Sequence, residues 1–162
     1  MDTPPSPDSR QTRRIALRQS STLSLTGARL QKHADYQRAY AASRKRQSAS
    51  MSWFLAPQQL VAADRQAARP AGSRVGLTAG KILGKAHERN RIKRRMREAL
   101  RRHLDLLPQG CDLIFHPRRS ILTLEFAKLE AEIVRILQQA SAEARRMTAL
   151  PTAQSGLAKP SL

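Results

Sequence analysis

The apolar residues in the middle of the chain recur at spacings that predict three helices. Residues 86–104 form the most regular of these segments, because their apolar side chains gather on one side of a helical wheel. Residues 32–42 form a shorter candidate, with Tyr36 and Tyr40 one turn apart on the same face. A last helix is predicted after Thr123, whose hydroxyl suits an N-cap. Its apolar stripe comprises Phe126, Leu129, Ile133, Ile136 and Leu137.

Three short segments between these helices have the composition of β-strands. They are residues 50–56 (SMSWFLA), 74–78 (RVGLT) and 111–115 (CDLIF), and prolines follow the first and the third. In the first strand, Trp53 and Phe54 must point to opposite faces of the sheet, because successive side chains alternate. The elements follow the order α-β-β-(β)-α-β-α, in which the bracketed strand is optional. This order predicts an α+β fold, a small α–β sandwich.

Both ends of the chain lack a sustained apolar period. We therefore predict a disordered basic tail over residues 1–27, a folded domain over 28–141 and a flexible tail over 142–162. An organelle transit peptide is an alternative for the first segment, since it carries serines and four arginines. Asp2, Asp8 and the early prolines count against that alternative.

The charge of the chain points to a polyanionic partner. The 162 residues contain 30 Lys and Arg against 12 Asp and Glu, a net charge of +18. Nucleic acid and anionic membrane are the usual partners of such a surface. The sequence contains no apolar run long enough to cross a bilayer, which favours nucleic acid. The single Cys111 lies in an apolar run, so we predict a buried strand cysteine, and a reducing cytoplasm fits this composition.

The basic residues concentrate in one segment, ERNRIKRRMREALRR (88–102). A helical wheel predicts an apolar stripe that packs on the sheet and two cationic rows beside it. A solvated helix face usually alternates Glu with Lys, whereas only two acids occur here. Arginine also suits phosphate, because its guanidinium group can donate two parallel hydrogen bonds. The first row contains Asn90, Arg94, Arg97 and Arg101, and the second contains Arg91, Arg95 and Arg102.

The few aromatic residues leave two interpretations open. Tyr36, Tyr40 and Phe54 could form a surface on which unpaired bases stack. Alternatively, the tyrosines seal the first helix against the sheet. The pattern alone does not decide between these.

No protein active site is evident in the sequence. Gly80 and Gly84 lack the spacing of a nucleotide-binding phosphate loop. No paired carboxylates or Ser/His/Asp set stands out, so no catalytic residue and no metal ligand is predicted in the protein. The four histidines are scattered, and we expect surface or packing roles for them: His33, His87, His103 and His116.

Three segments, in this order and spacing, resemble the bacterial ribonuclease P protein component family. The most specific is RVGLTAGKILGKAHERNRIKRRMREALRRH (74–103), with its arginine–asparagine–arginine motif at Arg89, Asn90 and Arg91. The others are ARLQKHADYQRAY (28–40) and LPQGCDLIFHPR (107–118). The resemblance covers residues 28–140 and implies a sandwich with a left-handed βαβ crossover, an uncommon hand.

The resemblance also implies a function. Proteins of this family are subunits of an endoribonuclease whose catalytic RNA, with bound Mg²⁺, removes the 5′ leader of precursor tRNA. The expected partners are that catalytic RNA and precursor tRNA, in the cytoplasm, without a membrane or a small-molecule cofactor. The leader cleft would use Tyr36, Tyr40 and Phe54. The RNA-binding residues would be Lys81, Lys85, Arg89, Asn90, Arg91, Lys93, Arg94, Arg97 and Arg101.

One position departs from the family pattern. Two adjacent lysines usually precede the second glycine of the loop, and here Lys81 is followed by Ile82. Two other functions remain as alternatives: a stand-alone RNA-binding or ribosomal protein, and a protein-only nuclease. The nuclease would need clustered carboxylates to hold its metal, and acids are sparse here.

Overall fold

Three helices and four strands make up the part of the chain that the computed structural model describes, residues 25–58 and 72–149. The helices are α1 (His33–Ala42), α2 (Ala86–Arg102) and α3 (Phe126–Ala149). The strands are β1 (Arg46–Gln47), β2 (Met51–Pro57), β3 (Arg74–Leu77) and β4 (Cys111–Pro117). Short 3-10 turns occupy Lys81–Leu83, Leu104–Leu106 and Arg119–Leu122.

The four strands form one mixed sheet in the order β1-β2-β4-β3. Strand β2 pairs antiparallel with β4, with Trp53 opposite Phe115. Strand β3 pairs parallel with β4, and α2 connects the two in a βαβ unit. The predicted α+β sandwich is confirmed. The two-residue strand β1 supplies the optional third strand before α2.

The sheet separates a large core from a small one. Helices α2 and α3 cover the face that bears Trp53, which is only 3% exposed, and Phe115. Helix α1 covers the other face, where Phe54 and Ile114 contribute to the smaller cluster. The prediction that Trp53 and Phe54 point to opposite faces is therefore confirmed. Cys111 is buried at the start of β4, as its apolar context predicted.

The last helix is longer than the sequence predicts. Residues 142–149 were expected to belong to a flexible tail, and the structure corrects this, because α3 runs on to Ala149. Ala144 is buried against the large core in this extension, and Ser141 donates a hydrogen bond to the Leu106 carbonyl at 2.7 Å. Alanines give only a weak hydrophobic signal, so the apolar periodicity of the sequence predicts a helix that ends earlier than the one observed. The predicted tails over residues 1–24 and 150–162 lie outside the described residues.

Two helix ends also differ from the prediction. Helix α2 ends at Arg102 rather than at residue 104, because the chain tightens into the 3-10 turn that follows. Thr123 does not cap α3, which begins at Phe126. Its hydroxyl instead donates to the Ser120 carbonyl at 3.3 Å and closes the preceding turn.

A buried ionic network attaches α1 to the sheet. Arg74 of β3 donates two hydrogen bonds of 2.7 Å to the carboxylate of Asp112 on β4. Its third nitrogen reaches Asp35 of α1 at 3.2 Å. Both aspartates are about 5% exposed, so leaving either one without its arginine would leave a buried charge without a partner. The network fixes α1, and with it the tyrosines, over the sheet.

No helix in residues 25–58 or 72–149 is long and apolar enough to cross a membrane.

Candidate nucleic-acid interface

Helix α2 is anchored to the sheet by one face only. Ile92, Met96, Ala99 and Leu100 have no exposed surface and pack in the large core, as the wheel predicts. The opposite face is turned to solvent. The sequence folds this way because the apolar residues return every three or four positions while arginine and lysine fill the rest.

The N-terminus of α2 is held by Glu88. Its carboxylate accepts a hydrogen bond from the backbone N–H of Lys85 at 2.8 Å and pairs with Arg119 at the same distance. The backbone hydrogen bond, together with the cations nearby, lowers the pKa of Glu88. Gly84 precedes this turn with a φ of 120°, which a side chain would strain. Lys81 and Lys85 are exposed at either end of the resulting loop.

The side chains of most of the predicted RNA-binding residues of α2 make no hydrogen bond or ion pair with the residues that the structure describes. Three arginines and Asn90 are exposed, whereas Arg89 and Lys93 are half-buried. The Arg89 Nε atom is buried and has no hydrogen-bond partner in the described part of the chain. Exposed side chains without a partner in the fold can pair with phosphate. The exposed set is Asn90, Arg91, Arg94 and Arg97.

Arg101 is placed differently from the other predicted RNA-binding residues. It remains exposed, but its guanidinium pairs with Glu98 at 2.9 Å, and Arg102 reaches the same carboxylate at 3.2 Å. Hydrogen bonds from these two arginines lower the pKa of Glu98. The C-terminal end of α2 is thus partly neutralised, and the unpaired positive charge of the helix lies before Glu98.

The second predicted arginine row is largely used within the fold. Arg95 donates hydrogen bonds to the carbonyls of Ile121, Leu122 and Leu124, the turn before α3. Arg102 reaches Glu130 at 3.4 Å and lies 4.9 Å from the centre of the Phe126 ring. A wheel places these arginines outside the core, but it cannot show which neighbouring carbonyls they reach. Of this row only Arg91 is without a partner among the described residues.

The three predicted aromatic residues come together on the other side of the sheet. The Tyr36 and Tyr40 rings lie 6.3 Å apart on α1, and Tyr40 meets Phe54 edge-on at 5.0 Å. All three are half-buried: they pack on the small core and also present part of each ring to solvent. The Tyr36 hydroxyl donates to the Leu30 carbonyl at 3.3 Å, and burial raises the pKa of this hydroxyl. The tyrosines therefore seal α1 against the sheet, as the second interpretation expects, and base stacking on their exposed parts stays a prediction.

His116 completes this group, although nothing in the sequence distinguishes it from the other histidines. Its Nε2 atom lies 2.7 Å from the Tyr40 hydroxyl, and its ring centre lies 5.1 Å from that of Phe54. The signal that could have found it is register. Alternation along β4 places His116 on the same face as Ile114, and strand pairing sets it opposite Ser52. We refer to Tyr36, Tyr40, Phe54 and His116 as the aromatic face.

The aromatic face and α2 lie on opposite sides of the sheet and meet around its edge. Strand β3 is the outermost strand there, and it is only four residues long. A cavity of about 70 Å³ beside it is lined by Tyr36 from α1 and by Lys93 and Arg97 from α2. Arg29, from the segment before α1, lines the same cavity. The segment before α1 also pairs with the outer side of β3, through a parallel bridge between Arg29 and Val75, so the aromatic face and the α2 cations approach each other at this segment.

This surface does not fit a resident magnesium ion. Mg²⁺ prefers carboxylate and other oxygen ligands. The carboxylates of α2, Glu88 and Glu98, are already paired with arginines. Within residues 25–58 and 72–149, no group of three or more His, Cys, Asp or Glu side chains could hold a metal ion.

Comparison with known proteins agrees with these features. The family model for ribonuclease P matches residues 26–141. The ribonuclease P protein component of Chloroflexus aggregans is 37% identical over 113 residues, covering 69% of this chain and 76% of that protein. The protein of the same name from Chlamydia trachomatis serovar L2 is 43% identical over 68 residues, covering 42% of this chain and 55% of that protein.

Solved structures share the fold. The Staphylococcus aureus RNase P protein superposes with a TM-score of 0.56 at 23% identity, covering 70% of this chain and 94% of that one. The Thermotoga maritima RNase P protein gives 0.56 at 22% identity, covering 68% and 96%. The family match over most of the chain and the shared fold agree with the resemblance of the three sequence segments. The chain belongs to the ribonuclease P protein family.

Proposed function

We propose that this chain is the protein subunit of a ribonuclease P ribonucleoprotein that matures the 5′ end of tRNA. The observation that carries the proposal is that two different surfaces lie close to each other beside β3. One is the aromatic face, which suits unpaired bases, and the other is the set of cations on α2, which suits phosphates.

The two surfaces suit two different parts of the proposed assembly. Arg89, Asn90, Arg91, Arg94 and Arg97 would bind the catalytic RNA, with Lys81, Lys85, Lys93 and Arg101 at the borders of that contact. The aromatic face would hold the single-stranded 5′ leader of precursor tRNA. Stacking tolerates different bases, which suits an enzyme whose substrates carry different leaders.

The cleavage chemistry is assigned to the RNA subunit. Hydrolysis adds water across one phosphodiester bond, leaving a 5′ phosphate on the tRNA and a 3′ hydroxyl on the leader. The protein would position the leader and neutralise phosphate charge near the reacting bond, while Mg²⁺ would be bound mainly by RNA. The proposed location is the cytoplasm.

Reconstitution tests this proposal. Purified protein, the ribonuclease P RNA of the same organism and a 5′-labelled precursor tRNA are combined singly and together at limiting Mg²⁺. We expect no cleavage by the protein alone and faster leader release by the RNA when the protein is present. Cleavage by the protein alone would support a protein-only nuclease, and a failure to stimulate the RNA would support a stand-alone RNA-binding protein.

A further inference from the structure

His116 is a half-exposed member of the aromatic face. It lies on the α1 side of β4, two residues after the buried Ile114, and it is half-exposed. Its ring contacts both Tyr40, at 5.6 Å between centres, and Phe54, at 5.1 Å. The imidazole thus extends the ring surface along β4.

The two nitrogens of this imidazole are used differently. Nε2 is bonded to the Tyr40 hydroxyl at 2.7 Å, and that hydroxyl also lies 3.4 Å from Thr78 Oγ1. These contacts hold the ring in one orientation. Nδ1 has no hydrogen-bond partner among the residues that the structure describes. Either tautomer leaves Nδ1 with hydrogen-bonding capacity, as a donor when Nε2 accepts from Tyr40 and as an acceptor when Nε2 donates.

The charge state favours a base over a phosphate as the ligand of Nδ1. Burial, with a smaller contribution from the positive charge of Lys45, lowers the pKa of His116. A neutral imidazole can form hydrogen bonds with base edges. Phosphates are better bound by positively charged groups, and α2 supplies these as arginine and lysine side chains.

We infer that His116 contacts the leader directly, with Nδ1 hydrogen-bonded to the edge of a base that stacks on one ring of the aromatic face. This inference rests on the proposed function, since it needs a leader on the aromatic face. Tyrosine and phenylalanine rings stack on any base, but an oriented ring nitrogen distinguishes donors from acceptors. His116 thereby gives the leader site a preference at one nucleotide.

Leader-walking with abasic nucleotides tests this inference. The reconstituted complex of protein and ribonuclease P RNA is titrated against precursor tRNAs that lack the base at one leader position at a time. The proteins compared are the natural chain, His116→Phe, which keeps a ring but removes both nitrogens, and His103→Phe. His103 is hydrogen-bonded to Glu130 of α3, on the other side of the sheet, so its replacement controls for the exchange of a histidine for a phenylalanine.

With a complete leader, His116→Phe should weaken the binding of precursor tRNA about 2- to 12-fold, the usual contribution of one hydrogen bond. His103→Phe should leave this affinity unchanged. At one leader position, removal of the base should abolish the difference between His116→Phe and the natural chain. A difference that persists at every position would show that His116 acts only by packing Tyr40, and an absence of any difference would also overturn the inference.

Two further arms keep the outcome decisive. If His116→Phe fails to melt cooperatively, His116→Gln replaces it. The Gln amide lies near the place of Nε2 and leaves no hydrogen-bonding group at Nδ1, so the effect of this variant should also disappear at that single leader position. If the natural chain itself binds precursor and leaderless tRNA equally well, the proposed leader site fails, and this is visible without any His116 variant.

Discussion

The Tyr36 ring lies directly on the backbone of Gly76: a Cβ atom built at position 76 would stand 2.8 Å from the nearest ring carbon. No side chain larger than hydrogen fits under the ring in this arrangement. The glycine of β3 thus sets the height of Tyr36 above the sheet and its place beside the α2 cations.

Gly76→Ala should therefore displace Tyr36 and weaken leader binding while leaving the sheet intact. If the ring stacks on a base, the loss should reach about 1–3 kcal/mol, the usual contribution of one stacked base. The measurement is the affinity of the reconstituted complex for precursor tRNA with and without its leader. Gly80→Ala is the matched control, because a Cβ there meets no atom within 4 Å among the described residues.

A loss of affinity for leaderless tRNA equal to the loss for precursor tRNA would contradict this account. It would mean that the substitution disturbs the whole domain rather than one ring.

Removing the unpaired arginines of α2 should change the salt dependence of RNA binding. Arg94→Ala and Arg97→Ala should each reduce the slope of log affinity against log salt by about one, because each removes a phosphate contact. Filter binding of the catalytic RNA over a series of salt concentrations measures this slope. An unchanged slope in both variants would show that these side chains stay in solvent.

Arg95 provides the contrast on the same helix. Its guanidinium donates to three carbonyls of the turn before α3, so Arg95→Ala should lower the free energy of unfolding by about 1.5–3 kcal/mol. Its effect on the salt slope should be small. Urea denaturation separates the two arginine classes, and equal stability of Arg95→Ala and Arg94→Ala would contradict the assignment.

Glu132 should make stability depend on pH in the acid range. Burial alone would raise the pKa of this carboxyl, but hydrogen bonds from Ser48 and Ser50 outweigh it, so the folded-state pKa lies below the ordinary 4.5. The unfolded chain then binds the proton more readily, and stability is present above pH 4.5 and declines as the pH falls through the folded-state value.

Replacement by glutamine tests this assignment. At pH 7, Glu132→Gln should reduce the free energy of unfolding by about 1–3 kcal/mol, and the difference should shrink below pH 4.5 as the natural carboxyl is protonated. Urea denaturation of both proteins at pH 7 and at a pH below 4.5 measures this difference in the free energy of unfolding. A difference that is the same at both would show that shape rather than charge matters here.

The elements were predictable from the sequence where a strong periodic signal existed. The stripe through Ile92, Met96 and Leu100 placed α2, and strand alternation predicted that Trp53 and Phe54 point to opposite faces of the sheet. The end of α3 was not predictable, because Ala140 and Ala144 are small and carry little hydrophobic contrast.

The candidate site was predictable in part for a related reason. Tyr36, Tyr40 and Phe54 are marked by residue type, whereas His116 becomes distinct only when strand pairing brings it to Tyr40. Likewise, Arg94 and Arg95 look alike along the sequence, and only the turn at 121–124 separates a partnered arginine from a free one. Contacts across long sequence separations decide both cases.

The leader dependence of substrate affinity tests the central claim most directly. The affinities of the RNA alone and of the RNA–protein complex are measured for precursor tRNA and for the same tRNA without its leader. We predict that the protein tightens binding of precursor tRNA much more than that of leaderless tRNA, and that Tyr36→Ala removes most of this difference. Equal tightening of the two substrates would contradict the account, because the aromatic face would then have no part in recognising the leader.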